Sequence, residues 1–330
     1  MQPEIVDAGG MTLKEARRLL GLSRQVRWSF PSSLGRPVRW EPSEPWVESV
    51  KKERISFVKA VTFLMRNGQA DAALEIAANV WRLWVLTRDN EGGRRLLAQV
   101  LDRGSRKQTR ARALALYGDS LLAFRQGRID ESKRRSEEAL EVAKSVVDPE
   151  ALSLANLALS RVAFEDGDYK LALFRAREAR RLACHLDSAF AQAPLFMEAQ
   201  SARMLGDYGK AASLFGESID LNKRIGDKGM VIAELNNLGL VEIHRNNVDA
   251  AERLFEESER ISGSKDDNPY SKAMTHLNKA MIAFKRGHIS QAKSLLVTTK
   301  STFERSMIEP ARDDKFEIDW LDRELARVAS

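Results

Sequence analysis

The stretch Asp166–Ala183, DGDYKLALFRAREARRLA, decides the fold, because relatives of it recur along the chain at a nearly constant distance. QGRIDESKRRSEEALEVA begins at Gln126, LGDYGKAASLFGESIDLN at Leu205, RNNVDAAERLFEESERIS at Arg245 and RGHISQAKSLLVTTKSTF at Arg286. The turn residues Gly127, Gly167, Gly206, Asn246 and Gly287 are therefore 40, 39, 40 and 41 residues apart. A period of that length, filled with helical patterning alone, predicts an all-α chain built as an α-solenoid.

Each unit reads as two helices joined by the turn. The pairs are expected at 107–126 with 128–146, 149–166 with 168–186, 188–205 with 207–225, 229–245 with 247–262 and 269–286 with 288–304. A more degenerate pair, 69–88 with 91–102, precedes them, and one long helix over 46–66 precedes that. Pro149, Pro194 and Pro269 fall near the start of leading helices, where a missing N–H is tolerated; Pro194 lies deeper and predicts a late start or a kink. The fifth residue after each turn is small (Ser132, Ala172, Ala211, Ala251, Ala292), and so is the seventh before it (Ser120, Ser160, Ala199, Gly239, Ala280). Helices that cross after a tight turn approach closely at such positions.

These constraints, with the GDY turns at 167–169 and 206–208, resemble tetratricopeptide repeats. NNLGLVEIHRNNVDAAERLFEES, from Asn236, matches the N-L-G…A…F pattern of that family best. The resemblance implies a right-handed α-solenoid of about six repeats, each about 40 residues rather than the family's usual ~34. Long repeats of this kind are similar to those of MalT-like regulators and related large LuxR-type ATPases, and ALEIAANVWRLWVLTRDNEGGRRLLAQVLDRG (73–104) resembles the start of that region. The chain contains no G-x-x-x-x-G-K-[ST], so the nucleotide chemistry of those regulators is not expected.

Around the array the sequence divides into residues 1–45, a basic segment with a short helix and a Pro-rich linker, and 311–330, a helix whose Phe316, Ile318, Trp320, Leu321 and Leu325 are available to cap the last repeat. The array itself is expected over 46–310. Residues 31–46 hold four of the nine prolines and read as extended, pinned by Trp28, Trp40 and Trp46. TLKEARRLLGLSRQ resembles the opening of an excisionase- or MerR-type helix-turn-helix, with Gly21 as the turn and Ser23 capping a second helix. The reading placed ahead of it is a short amphipathic segment packed on the array or left flexible.

Net charge is +6, and residues 1–66 carry 12 Lys/Arg against 7 Asp/Glu, so the excess is local. The single Cys184 excludes an internal disulfide and a Cys-based zinc site. With no secretory signal and no apolar run long enough to span a bilayer, the expectation is a cytoplasmic protein. His185, His244, His276 and His288 lack metal-ligand spacing, and there is no G-x-S-x-G elbow. No catalytic residue, metal or cofactor is expected. The basic run Arg103, Arg106, Lys107, Arg110 and Arg112 reads as solvated, with contact to an acidic partner as the alternative.

In tetratricopeptide repeats the leading helices line a groove, at places about ten, nine, six, three and two residues before the turn. Carried onto this chain, those places give the polar residues Arg161, Gln200, Arg203, Asn236, Asn237, His244, Asn278 and Lys285. Leu157, Phe164, Phe196, Leu240 and Met281 are the apolar ones. Asn can pair both backbone groups of an extended peptide, and Arg can take a carboxylate. The rival reading gives the Asn residues to bonds between neighbouring helices. The function expected is non-enzymatic binding of a protein or peptide partner. The alternative is a transcription-regulator-like protein whose basic N-terminal segment contacts DNA while the repeats sense a ligand; nucleic acid ranks behind a protein partner, and no membrane contact is expected.

Overall fold

Gly127, Gly167, Gly206 and Gly287 all adopt positive φ, between 72° and 82°, and Asn246 does the same at 63°. At each of these turns the second amide after the helix cap bonds back five residues, as from Asp168 to the Ala163 carbonyl and from Asn247 to that of Glu242. This is the Schellman closure, which needs a left-handed residue and so selects Gly or Asn. The period seen in the sequence is therefore a period of helix stops. In this computed structural model, residues 11–28, 45–104, 106–186, 188–263 and 268–329 are described, with side chains left aside at 25–28, 45–52, 188–189 and 329.

Two units divide the chain, Met1–Pro194 and Leu195–Ser330, with the division inside the array expected as one body. In the first, α1 (Leu13–Trp28), α2 (Pro45–Arg66), α3 (Ala70–Val80), α4 (Arg82–Leu86) and α5 (Asn90–Arg103) lead into the regular pairs. Those are α6 (Arg110–Phe124) with α7 (Ile129–Val146), and α8 (Pro149–Glu165) with α9 (Tyr169–Ala183). A 3₁₀ turn, Ser188–Ala191, precedes α10 (Gln192–Met204), so Pro194 stands in the first turn of a late-starting helix. The second unit continues with α11 (Tyr208–Ile225), α12 (Lys228–His244), α13 (Val248–Ser262), α14 (Pro269–Lys285), α15 (Ile289–Ser306) and α16 (Arg312–Ala329). The described residues form helices and no strand. The architecture is an α-solenoid.

Leading and trailing helices differ in how they are buried. Every residue of α6 from Arg112 to Ala123 is buried, whereas α9 buries only Ala172, Ala176, Ala179 and Ala183, one stripe at helical spacing. The small positions do what close crossing requires. Ser120 Oγ lies 2.6 Å from Ser136 Oγ, and Ser160 Oγ donates to the Ala172 carbonyl at 2.8 Å. At Gly118 a Cβ would stand 2.7 Å from Trp81 Cγ, and at Gly239 it would overlap the Phe255 ring.

Of the two N-terminal readings the packed amphipathic segment is the one found, while the helix stop expected at Gly21 needs correction. α1 runs unbroken through Gly21, so the turn of a helix-turn-helix is not made. Ser23 is buried, donates to the Leu20 carbonyl at 2.7 Å and accepts from Asn79 of α3, and Arg24 pairs with Glu75 at 2.6 Å. With Ala16 and Leu19 fully buried, α1 is an outer layer packed on α3. Gly21 tolerates helix because its amide and carbonyl still serve the ladder; Gly weakens a helix without forbidding one. The helix expected over 69–88 is interrupted at Trp81, where α3 gives way to α4 and Trp84 N–H bonds to the Trp81 carbonyl, a tighter i→i+3 step. The linker expected over 31–46 and the pins Trp28, Trp40 and Trp46 lie outside the described side chains. Three of the five residues of the basic run are paired rather than merely solvated, with Lys107 on Asp71, Arg110 on Asp148 and Glu150, and Arg112 on Glu138.

Candidate functional site: the leading helices of the repeats

In the second unit, α10, α12 and α14 deliver four of the sequence-predicted residues to one partner, α16. Arg203 is 1% exposed; its Nη2 donates to Asp313 Oδ2 at 2.8 Å and its Nη1 to Glu317 Oε1 at 3.1 Å. Gln200 Nε2 donates to the same Asp313 oxygen at 2.5 Å. His244 Nε2 and Glu317 Oε2 are 2.7 Å apart, and the imidazole stacks on Tyr208 at 4.8 Å between ring centroids. Trp320 meets the His244 ring edge-on at 4.9 Å, and Lys285 Nζ sits 5.6 Å above the Trp320 ring, within cation–π range.

The pattern of α16 explains this seating. Asp313 and Glu317 are four residues apart and share one helix face. Ile318, Leu321 and Leu325 face another way and join the core formed with α14 and α15. One helix thus covers the last repeat with its apolar side and enters the row of leading helices with its acidic side. Tyr270, whose hydroxyl donates to Asp314 and accepts from the Ala311 amide, ties the start of α16 to α14. Burial first, and the Asp314 carboxylate second, push the Tyr270 phenol well above its usual range. Burial also raises that of Tyr208, with the Glu317 charge adding to it.

The asparagines have other partners. Asn236 Nδ2 donates to Ser258 Oγ at 2.7 Å and to the Ile232 carbonyl at 2.9 Å, and Asn278 Nδ2 donates to Asn236 Oδ1 at 2.8 Å. The two form a rung linking α12, α13 and α14. Asn237 Nδ2 bonds within its own helix to the Ala233 carbonyl at 3.0 Å. The α16 pairing is not complete either: Arg203 Nε and Gln200 Oε1 are buried without a hydrogen-bond partner.

Arg161 belongs to the first unit and meets none of these. It is 6% exposed and its Nη1 donates to Tyr117 Oη of α6 at 3.2 Å. Tyr117 packs edge-on against Trp81 at 5.4 Å. Four participants were missed from sequence. Tyr117 and Arg125 stand ten and two residues before Gly127, the groove spacing applied one repeat earlier than it was carried. Asp313 and Glu317 carried a legible signal in their i, i+4 spacing, which an apolar reading of the last helix passes over.

Among the described residues no group of three or more His, Cys, Asp or Glu is placed to hold a metal ion, and no helix is long and apolar enough to cross a membrane. Cys184 is exposed.

No family model and no curated protein matches the sequence. Solved structures do. A Rap protein complexed with Competence and Sporulation Factor is 12% identical, with a TM-score of 0.62 over 88% of this chain and 77% of that one. The apo form of RapI is 13% identical, with a TM-score of 0.56 over 94% and 86% of the two chains. A tetratricopeptide repeat protein from Parabacteroides merdae ATCC 43184 is 10% identical, with a TM-score of 0.52 over 95% and 99%. The likeness is one of fold. The structural neighbours are tetratricopeptide-repeat proteins, and at this identity the shared repeat architecture is what the likeness carries.

Proposed function

We propose that this chain is a non-enzymatic scaffold that binds a protein or peptide segment along the leading helices of its repeats. The observation that carries the reading is α16. An amphipathic helix with two carboxylates on one face lies on Arg203, Gln200 and His244, and this seating supports a surface suited to a polypeptide. Helix-in-groove recognition uses this geometry, an anchored apolar side with polar pairs that fix register. The fold-level likeness to a Rap protein solved with a bound factor supports the same reading. The string at 73–104 and the long period support a subtype resembling the MalT-like arrays, and the lone exposed Cys184 suits a reducing cytoplasm. DNA contact through residues 12–30 is not carried further, because α1 spends its apolar face on α3 and Arg24 on Glu75.

The test is retention of a polypeptide from extracts of the native cells by the immobilised full-length chain, followed by hydrogen exchange on the complex. Protection is expected on α6, α8, α10, α12 and α14. Protection confined to the trailing helices, or no retained polypeptide at all, removes the reading.

A further inference from the structure

Three arginines on the leading side of consecutive repeats in the first unit stand without an ion pair among the described residues. Arg88 is the left-handed turn residue after α4, at φ 56°, and is exposed. Arg125 caps the C-terminus of α6 and is half-buried, while Arg161 of α8 is buried. None of the three makes an ion pair among the described residues, although Arg94, Arg110 and Arg135 of the same unit are each paired with acids. Arg161 holds only the Tyr117 hydroxyl through Nη1, and Arg125 Nη1 is buried with no acceptor. Burial, then the charges of Arg161 and Arg88, push the Arg125 guanidinium below its ordinary range, as expected of a cation kept among cations.

We propose that Arg88, Arg125 and Arg161 form a carboxylate-binding site that receives a pair of acidic side chains from a peptide partner. Guanidinium donors are planar forks suited to carboxylates, and an acidic pair relieves both the mutual repulsion and the orphaned donor. The graded exposure, from Arg88 to Arg161, gives the incoming chain an entry from solvent and a buried end point. The second unit supplies the precedent for the chemistry: there one leading-helix arginine holds two carboxylates placed four residues apart on α16. This inference rests on the scaffold reading and names the ligand chemistry for its first unit.

The test uses full-length protein and fluorescein-labelled hexaglutamate, read by fluorescence anisotropy at low ionic strength. Saturable binding is expected, weakened by salt and reduced about ten-fold or more in R125Q/R161Q, since each charged hydrogen bond lost is a large fraction of that factor. Circular dichroism checks that the double variant keeps its helix. Arg88→Gln serves as a second variant at an exposed position and is expected to weaken binding to a smaller extent. Labelled oligothymidylate of the same length is the comparator. Binding of hexaglutamate that is absent, or unchanged in R125Q/R161Q and in Arg88→Gln, overturns the site. So does oligothymidylate binding more tightly through the same arginines, which would make it a phosphate site. A cellular polypeptide retained equally by R125Q/R161Q overturns the site and leaves the scaffold reading standing; hexaglutamate bound at these arginines with no polypeptide ever retained does the reverse.

Discussion

Arg203 and Glu317 stand 114 residues apart in the chain and meet through a 3.1 Å contact in which neither side chain is more than 1% exposed. A buried guanidinium of this kind is held by both of its acids, and taking away one side leaves charge with nowhere to go. Arg203→Leu should therefore destabilise by about 3–5 kcal/mol, although the residue occupies a groove position where a neutral effect on melting is the ordinary expectation. Replacing the set together, as R203M/D313L/E317M, should recover part of that loss, because well-packed apolar groups are not penalised for desolvation, while Gln200 and His244 lose their acceptors. Urea titrations of the two variants check the contrast; equal midpoints would show that the pairing is not what holds α16.

Tyr270 predicts an alkaline limit. Its folded-state pKa is raised by burial and by Asp314, so the folded state favours the protonated phenol. The contribution is fully present below the ordinary value of about 10 and is lost as pH rises above it. Within that range each pH unit removes up to about 1.4 kcal/mol. The urea midpoint of the wild type should fall more steeply than that of Tyr270→Phe between neutral and strongly alkaline pH. Parallel curves for the two proteins would refute the assignment.

Two helical glycines should respond in opposite directions to the same change. Gly216 of α11 has open space where a Cβ would go, so Gly216→Ala should stabilise by about 0.5–1 kcal/mol through backbone entropy. At Gly239 the added methyl meets the Phe255 ring, and Gly239→Ala should cost about 1–3 kcal/mol by overpacking. Phe255→Leu in the same chain should recover part of it. Thermal melts of the three proteins decide the matter.

Arg125→Met should raise the stability of the free protein, by up to about 1 kcal/mol, since it removes a buried donor without an acceptor. A stabilising change at a residue assigned to binding is the usual sign of a site tuned for a ligand rather than for the apo fold. A lowered melting temperature would mean that the guanidinium has an intramolecular role.

Much of the fold was legible because the left-handed turns sit at Gly127, Gly167, Gly206, Asn246 and Gly287, positions that few residue types can fill. The small residues between them, such as Ser120 and Gly239, are equally constrained by helix crossing. The site was less legible, for two physical reasons. Asn236 and Asn278 look alike whether they face a ligand or each other, and only their 2.8 Å bond distinguishes the two. The acids that occupy Arg203 lie more than a hundred residues downstream, and no local pattern ties a cation to a partner at that separation. The break at Gly21 failed for the opposite reason: local turn chemistry pointed one way, and burial of Leu19 and Ser23 on α3 overruled it.

The position of α16 at the end of the second unit also sets an order of synthesis. Arg203 emerges from the ribosome long before Asp313 and Glu317, and until they follow, its guanidinium has no acid of its own in the place where it will be enclosed. The first unit carries its ion pairs among residues made early, such as Arg94, Asp119 and Arg135, and can close while translation proceeds. A message truncated shortly before Asp313 would thus yield a finished front half joined to a back half unable to settle, and that product should be the one proteases remove.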